Sequence, residues 1–110
     1  MGMSNILVSQ VTGAAAVAHT LAPDQNFVLL YMKIHMSALG EAVDLTITVD
    51  ANAGAAYDVV VKTQAMGAIV DLVWQPTFPI FFEKGDELDV AYNNGTTKTY
   101  GIELGYRLEL

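Results

Sequence analysis

The sequence predicts an all-β domain, a two-sheet antiparallel sandwich, most simply a jelly roll, with eight or nine strands. Three observations carry that expectation. Apolar and polar residues alternate with period two along the whole chain, the spacing that sends successive side chains to opposite faces of a strand. The alternating runs are short and separated by turn formers at close intervals. No long stretch shows the 3.6-residue periodicity of an amphipathic helix. A closed barrel is the other architecture that this pattern allows.

Taken in order, strands are expected near residues 5–11, 14–20, 26–36, 43–50, 56–63, 68–74, 78–82, 87–93 and 98–109. The clearest is VDLTITVD, where Val43, Leu45, Ile47 and Val49 oppose Asp44, Thr46, Thr48 and Asp50, the signature of a sheet with one wet face. ELDVAY repeats it. At the carboxyl end Tyr100, Ile102, Leu104, Tyr106, Leu108 and Leu110 alternate with Gly101, Glu103, Gly105, Arg107 and Glu109, which places these residues in the core sheet. Pro76 and Pro79 lack the amide N–H that a ladder needs, so their strand belongs at an edge or begins after Pro79. Gly85-Asp86 and Asn94-Gly95 read as hairpin turns, Asn-Gly being the preferred two-residue pair because both residues tolerate positive φ. Residues 1–25 form an amino-terminal segment, a strand or arm packing on the domain or a neighbour, and 26–110 the sandwich proper.

TVDANAGAAYDVVV, Thr48 to Val61, invites a calcium-loop reading, since Asp50 and Asn52 fall at its first and third positions. Gly54, Ala55 and Val61 then stand where an oxygen ligand, a glycine and a bidentate glutamate are wanted. The stretch reads as the bend between two strands, and no metal or cofactor is expected.

Composition narrows function further. Twelve acidic and five basic residues give a formal charge of −7, and the basic ones are scattered singly. Nucleic acid needs clustered Lys and Arg, so it is not an expected partner. There are no cysteines, hence no disulfide framework, thiolate zinc site or cysteine nucleophile. No run approaches the roughly 18 apolar residues of a spanning helix. The amino terminus lacks the charged and apolar regions of a signal peptide, and Ile6 stands where a myristoylation signal after Gly2 wants Ser or Thr, so no membrane partner is expected.

The chemistry-bearing residues do not assemble into a catalytic set. The serines are Ser4, Ser9 and Ser37, none in a Gly-x-Ser-x-Gly elbow, and the histidines are His19 and His35. Both histidines read as packed or interface residues. The carboxylates fall on polar strand faces, where they keep a β-protein soluble and discourage edge pairing, the rival reading being a surface calcium ion held by some of them. An enzyme is therefore not expected. In NFVLLYMKIHM strict alternation gives Val28, Leu30, Met32, Ile34 and Met36 to the core and leaves Phe27, Leu29 and Tyr31 on the other face. With no helix to cover them, either a loop of the same chain or another subunit must, and Phe27, Leu29, Tyr31 and Phe81 form the expected protein-protein interface. Trp74 shares a face with Val70 and Leu72 and is expected in the core.

The order VDANAGAAYDVVV, DLVWQPTFPIFFEKGDELDVAY, KTYGIEL resembles small β-sandwich virion accessory proteins of tailed bacteriophages, the capsid cement or decoration type. The matching points are Gly54 to Asp58, Asp71 to Pro76, Pro79-Ile80, Gly85-Asp86 and Tyr100-Gly101. The resemblance implies a structural protein, often a homotrimer, that binds major capsid protein or other virion subunits and stabilises the head shell. Its location would be the capsid surface, after assembly in the host cytoplasm. A tail, baseplate or fibre domain would use the same fold. A carbohydrate-binding module is the other alternative, recruiting Tyr57, Tyr92, Tyr100 and Trp74.

Overall fold

The computed structural model describes residues 6–109. Gly2, Ser4, Asn5 at the start of the first expected strand and Leu110, one residue beyond the last, lie outside the described residues. Nine strands form: β1 (Leu7–Gly13), β2 (Val17–Leu21), β3 (Phe27–Met36), β4 (Asp44–Asp50), β5 (Val59–Ala65), β6 (Asp71–Trp74), β7 (Ile80–Phe82), β8 (Glu87–Tyr92) and β9 (Tyr100–Leu108). A single 3-10 turn, Ala55–Tyr57, precedes β5, and there is no α-helix among the described residues.

The strands build two antiparallel sheets. One has the order β1-β9-β3-β6, with β7 also on β3, and the other has the order β2-β8-β4-β5. β6 pairs with β3 at Met32 to His35 and β7 at Phe27 to Leu29, so the two are one edge strand interrupted at Pro76 and Pro79. The prolines therefore stand where a missing donor is harmless. Counted that way there are eight strand positions, and the chain crosses between the sheets in jelly-roll order.

Both alternating faces are realised. Leu45 and Ile47 of β4, Leu88 and Val90 of β8, and Ile102 and Leu104 of β9 fill the space between the sheets with Met32, Ile34 and Met36 of β3. Trp74 packs half-buried against this core, while Tyr92 and Tyr100 are inside it. The amino-terminal segment is part of the sandwich: β1 pairs with β9 from Leu7–Tyr106 to Gly13–Tyr100, and β2 pairs with β8 along its whole length.

Two expectations are corrected. Opposite β9, β3 carries one extra residue between Leu29 and Tyr31, a bulge at Leu30. The bulge reverses the alternation of everything before it. Phe27 and Leu29 turn inward and are fully buried, Phe27 stacked on Phe82 at 4.4 Å, while Val28 lies outside the inter-sheet cluster, still buried, beside Phe81 and Arg107. Phe27 and Leu29 are thus core residues of their own domain, and of the four expected interface residues only Tyr31 and Phe81 remain on the outside.

The second correction concerns turns. Gly85-Asp86 and Asn94-Gly95 do not close hairpins: each connection carries the chain from one sheet to the other, β7 to β8 and β8 to β9. The turn residues are right, but their strands are not partners. The connection after β4 is a true hairpin to β5.

Candidate functional site

Because strand partners share a face, the outer surface of the five-stranded sheet can be read in rows across β1, β9, β3 and β6. The first row is Thr12, Gly101, His35, Asp71 and the second Gln10, Glu103, Lys33, Val73. A third is Val8, Gly105, Tyr31. A groove of about 530 Å³ lies over the first two rows.

Its polar side chains are tied together. Glu103 accepts hydrogen bonds from the Tyr31 hydroxyl at 2.6 Å and the Gln10 amide at 2.6 Å, and pairs with Lys33 Nζ at 3.2 Å. Those donors, Tyr31 first, hold the Glu103 carboxyl down to about 2. The same bond, with burial and the neighbouring charge, raises the Tyr31 phenol above its ordinary value. Tyr31 lies across Gly105, where any Cβ would collide with its ring, and Lys33 Nζ sits 5.4 Å from the ring centroid. Within the first row, His35 Nδ1 donates to Asp71 directly across from it.

The sign of the Glu103 shift gives a testable pH dependence. A carboxyl whose folded pKa is depressed adds stability that is present above its unfolded pKa and lost as pH falls through the folded one. For Glu103 that window runs from the ordinary carboxylate range, about 4.3, down to about 2. Tyr31→Phe removes the leading donor, so Glu103 should titrate at higher pH in a carboxyl-resolved NMR titration, and the acid loss of stability, whose onset the unfolded carboxyl sets, should become shallower and end at higher pH. An unmoved Glu103 titration would mean that Gln10 and Lys33 hold it without Tyr31.

The remaining candidates separate cleanly. His19 faces inward on β2 and is hydrogen-bonded to Ser9 of β1 at 2.8 Å, a link between the two sheets, and burial lowers its pKa. Far from forming a cation ring, the turn after Asp50 is closed on its own backbone. Asp58 accepts the Ala51 N–H at 2.8 Å, and Asp86 accepts those of Asn52 and Glu83 at 2.9 Å each. Asp50 itself meets Glu87 and Asp89 on the outer face of the four-stranded sheet, close enough that three carboxylate oxygens could hold one cation. These carboxylate neighbours of Asp50 lie on β8 and not in its own loop.

Large apolar side chains are exposed on opposite flanks of the sandwich. β1 and β2 edge the two sheets on one flank, where Ile6, Leu7 and Val8 are exposed. β5 and β6–β7 are the edge strands at the other. There Tyr57, Val59 and Val60 of the β5 arm and Val73, Phe78 and Phe81 of the β6–β7 arm are all exposed. Phe81 is the expected interface residue found here. Of the aromatics suggested for a sugar platform only Tyr57 is exposed.

No protein-family model matches the chain, and no curated protein matches it. Among solved structures it is similar to the Drosophila NLP-core, whose crystal structure is described as providing insight into pentamer formation and histone binding. The TM-score is 0.53 at 13% identity, covering 96% of this chain and 98% of that one. At that identity the likeness is one of fold: both chains are β-sandwiches of the same overall arrangement.

Proposed function

We propose that this chain is a non-enzymatic structural subunit that associates head to tail into a closed ring and attaches to a larger protein assembly. The assembly implied by the resemblance is a phage head shell bound in the manner of decoration proteins. The carrying observation is the pair of unlike apolar flanks, β1 on one side and β5 with β6–β7 on the other. Unlike patches on opposite sides favour a heterologous contact, and such contacts close into rings when the rotation permits. A sandwich of the same arrangement is connected with pentamers in the Drosophila protein, which supports self-association by this architecture. The resemblance to decoration proteins favours three copies.

Native mass spectrometry should find a single closed oligomer. The double variant Val60→Asp with Phe81→Asp should be monomeric with an unchanged circular-dichroism spectrum, because both side chains are exposed in the single chain. Cosedimentation with phage heads lacking the protein then tests attachment. A monomeric parent would defeat the ring, and an oligomer that ignores heads would defeat the shell. A second reading has one observation in its favour: the net charge of −7 and the Asp50, Glu87, Asp89 trio suit a basic protein partner. It requires salt-sensitive binding of a basic protein such as a histone, with no affinity for heads.

A further inference from the structure

We infer that the groove over Gly101 is a binding site for a neutral saccharide. Nine glycines occur in the chain, and for most of the described ones the structure supplies a reason. Gly54 and Gly85 have positive φ. At Gly13, Gly40, Gly67, Gly95 and Gly105 a Cβ would crowd Tyr100, Tyr92, Ala42, Glu41 and Tyr31 respectively. Gly101 has neither reason. Its backbone has no positive φ, and nothing lies within 4 Å of where its Cβ would stand. It occupies β9, a strand paired on both edges, where glycine weakens a sheet. A strand glycine that neither backbone nor packing requires marks a place where something from outside approaches the sheet.

The chemistry around that space selects the occupant. The groove, about 530 Å³, has the size of a small-molecule site. Gly101 and exposed Val73 give it apolar surface, and Gln10, Lys33, His35, Asp71 and Glu103 supply polar groups. One cation, Lys33, stands with two carboxylates, so an anionic ligand is opposed and a cationic one must compete with Lys33 for Glu103. The second Asp71 oxygen, His35 Nε2 and the Gln10 carbonyl have no hydrogen-bond partner among the described residues and can accept, while Lys33 Nζ, paired with Glu103, keeps further N–H groups able to donate. A sugar ring matches this: its C–H face can lie on the apolar floor while its hydroxyls donate and accept around it. The site does not depend on the proposed ring or its shell, and its test reads neither.

Amide spectra of the intact protein titrated with maltotriose, cellotriose and chitotriose decide the matter, with a sialylated trisaccharide as the anionic comparison. At least one neutral trisaccharide should give saturable shifts centred on Thr12, His35, Val73 and Gly101. Gly101→Val should weaken that binding by about tenfold or more. Its melting temperature should be unchanged or higher, since a β-branched residue suits a strand and has room here. Gly101→Ala, a smaller filling, provides a second variant with a weaker loss. Flat titrations with all three sugars, binding that survives Gly101→Val, or a preference for the sialylated sugar would overturn the assignment. So would groove shifts that follow protein concentration alone, since a second copy would then be the occupant.

Discussion

Leu29→Asp should unfold the domain at neutral pH, whereas Leu30→Asp, one residue away, should leave it folded. The contrast follows from the bulge. Leu29 is 0% exposed within the core, facing Tyr106 across β9 and Ile80 across β7. Removing such a side chain costs about 2–5 kcal/mol, and an unpaired carboxylate in its place adds desolvation that no neighbour offsets. Domains of ordinary stability have only about 5–15 kcal/mol to lose. Leu30 is the extra residue and only half-buried, so a polar replacement there reaches water. The buried carboxyl should also have a raised pKa, so its folded form binds the proton more tightly than its unfolded form. Leu29→Asp should accordingly regain structure as pH falls and lose it again as pH rises. Circular dichroism and near-ultraviolet melts of the two variants measure this directly. Strict alternation through β3 requires the reverse order, a folded Leu29→Asp and an unfolded Leu30→Asp, and that outcome would remove the bulge.

The same strand shows what the sequence could and could not disclose. All nine strands were legible, because period-two alternation and the turn formers between runs are local signals. The facing of half of β3 was not. In Phe27-Val28-Leu29-Leu30-Tyr31 every residue is apolar or aromatic, so either phase buries an acceptable set, and a bulge of one leucine changes no letter in the pattern. After Tyr31 the polar residues Lys33 and His35 fix the phase, and there the expected facing holds. Turn chemistry likewise located the corners at Gly85 and Asn94 without saying that they join different sheets, since that is decided by contacts far along the chain.

The groove was illegible for a related reason. Tyr31 and Glu103 are separated by 72 residues and Gln10 and Glu103 by 93, so their network exists only once β1, β3 and β9 lie side by side. Gly101 and Gly105 look alike in the alternating run Tyr100 to Leu108. Across the sheet they differ completely: Tyr31 fills the place above Gly105, and the place above Gly101 is open. Row neighbours on three strands are the information that separates them.

Asn94→Ala should lower stability by roughly 3–5 kcal/mol, the sum of lost buried hydrogen bonds and a left-handed backbone that alanine resists. Asn94 is 1% exposed and has φ of 49°. Its side-chain amide donates to the carbonyl oxygens of Ala14 at 3.3 Å, Ala15 at 3.0 Å and Lys98 at 2.9 Å, while its Oδ1 accepts the Lys98 N–H at 3.2 Å. One side chain therefore joins the β1–β2 connection to the β8–β9 connection, and Gly95 beside it is held through its N–H by Glu41 at 2.7 Å. Truncation strands buried backbone groups that water reaches poorly. At a few degrees per kcal/mol for a domain of this size, the melting temperature should fall by roughly 10–20 °C. Asn94→Gly isolates the backbone part, since glycine accepts positive φ, and should recover about 1 kcal/mol relative to alanine. Asn94→Asp keeps the shape but replaces the donating amide by an acceptor aimed at three carbonyls, so it should be worse than its size suggests. Amide exchange should accelerate in both connections together in Asn94→Ala and Asn94→Gly, because both lose the same bridge. If Asn94→Ala melts within a few degrees of the parent, or if exchange rises in one connection only, the two are held by other contacts and Asn94 merely fills a turn.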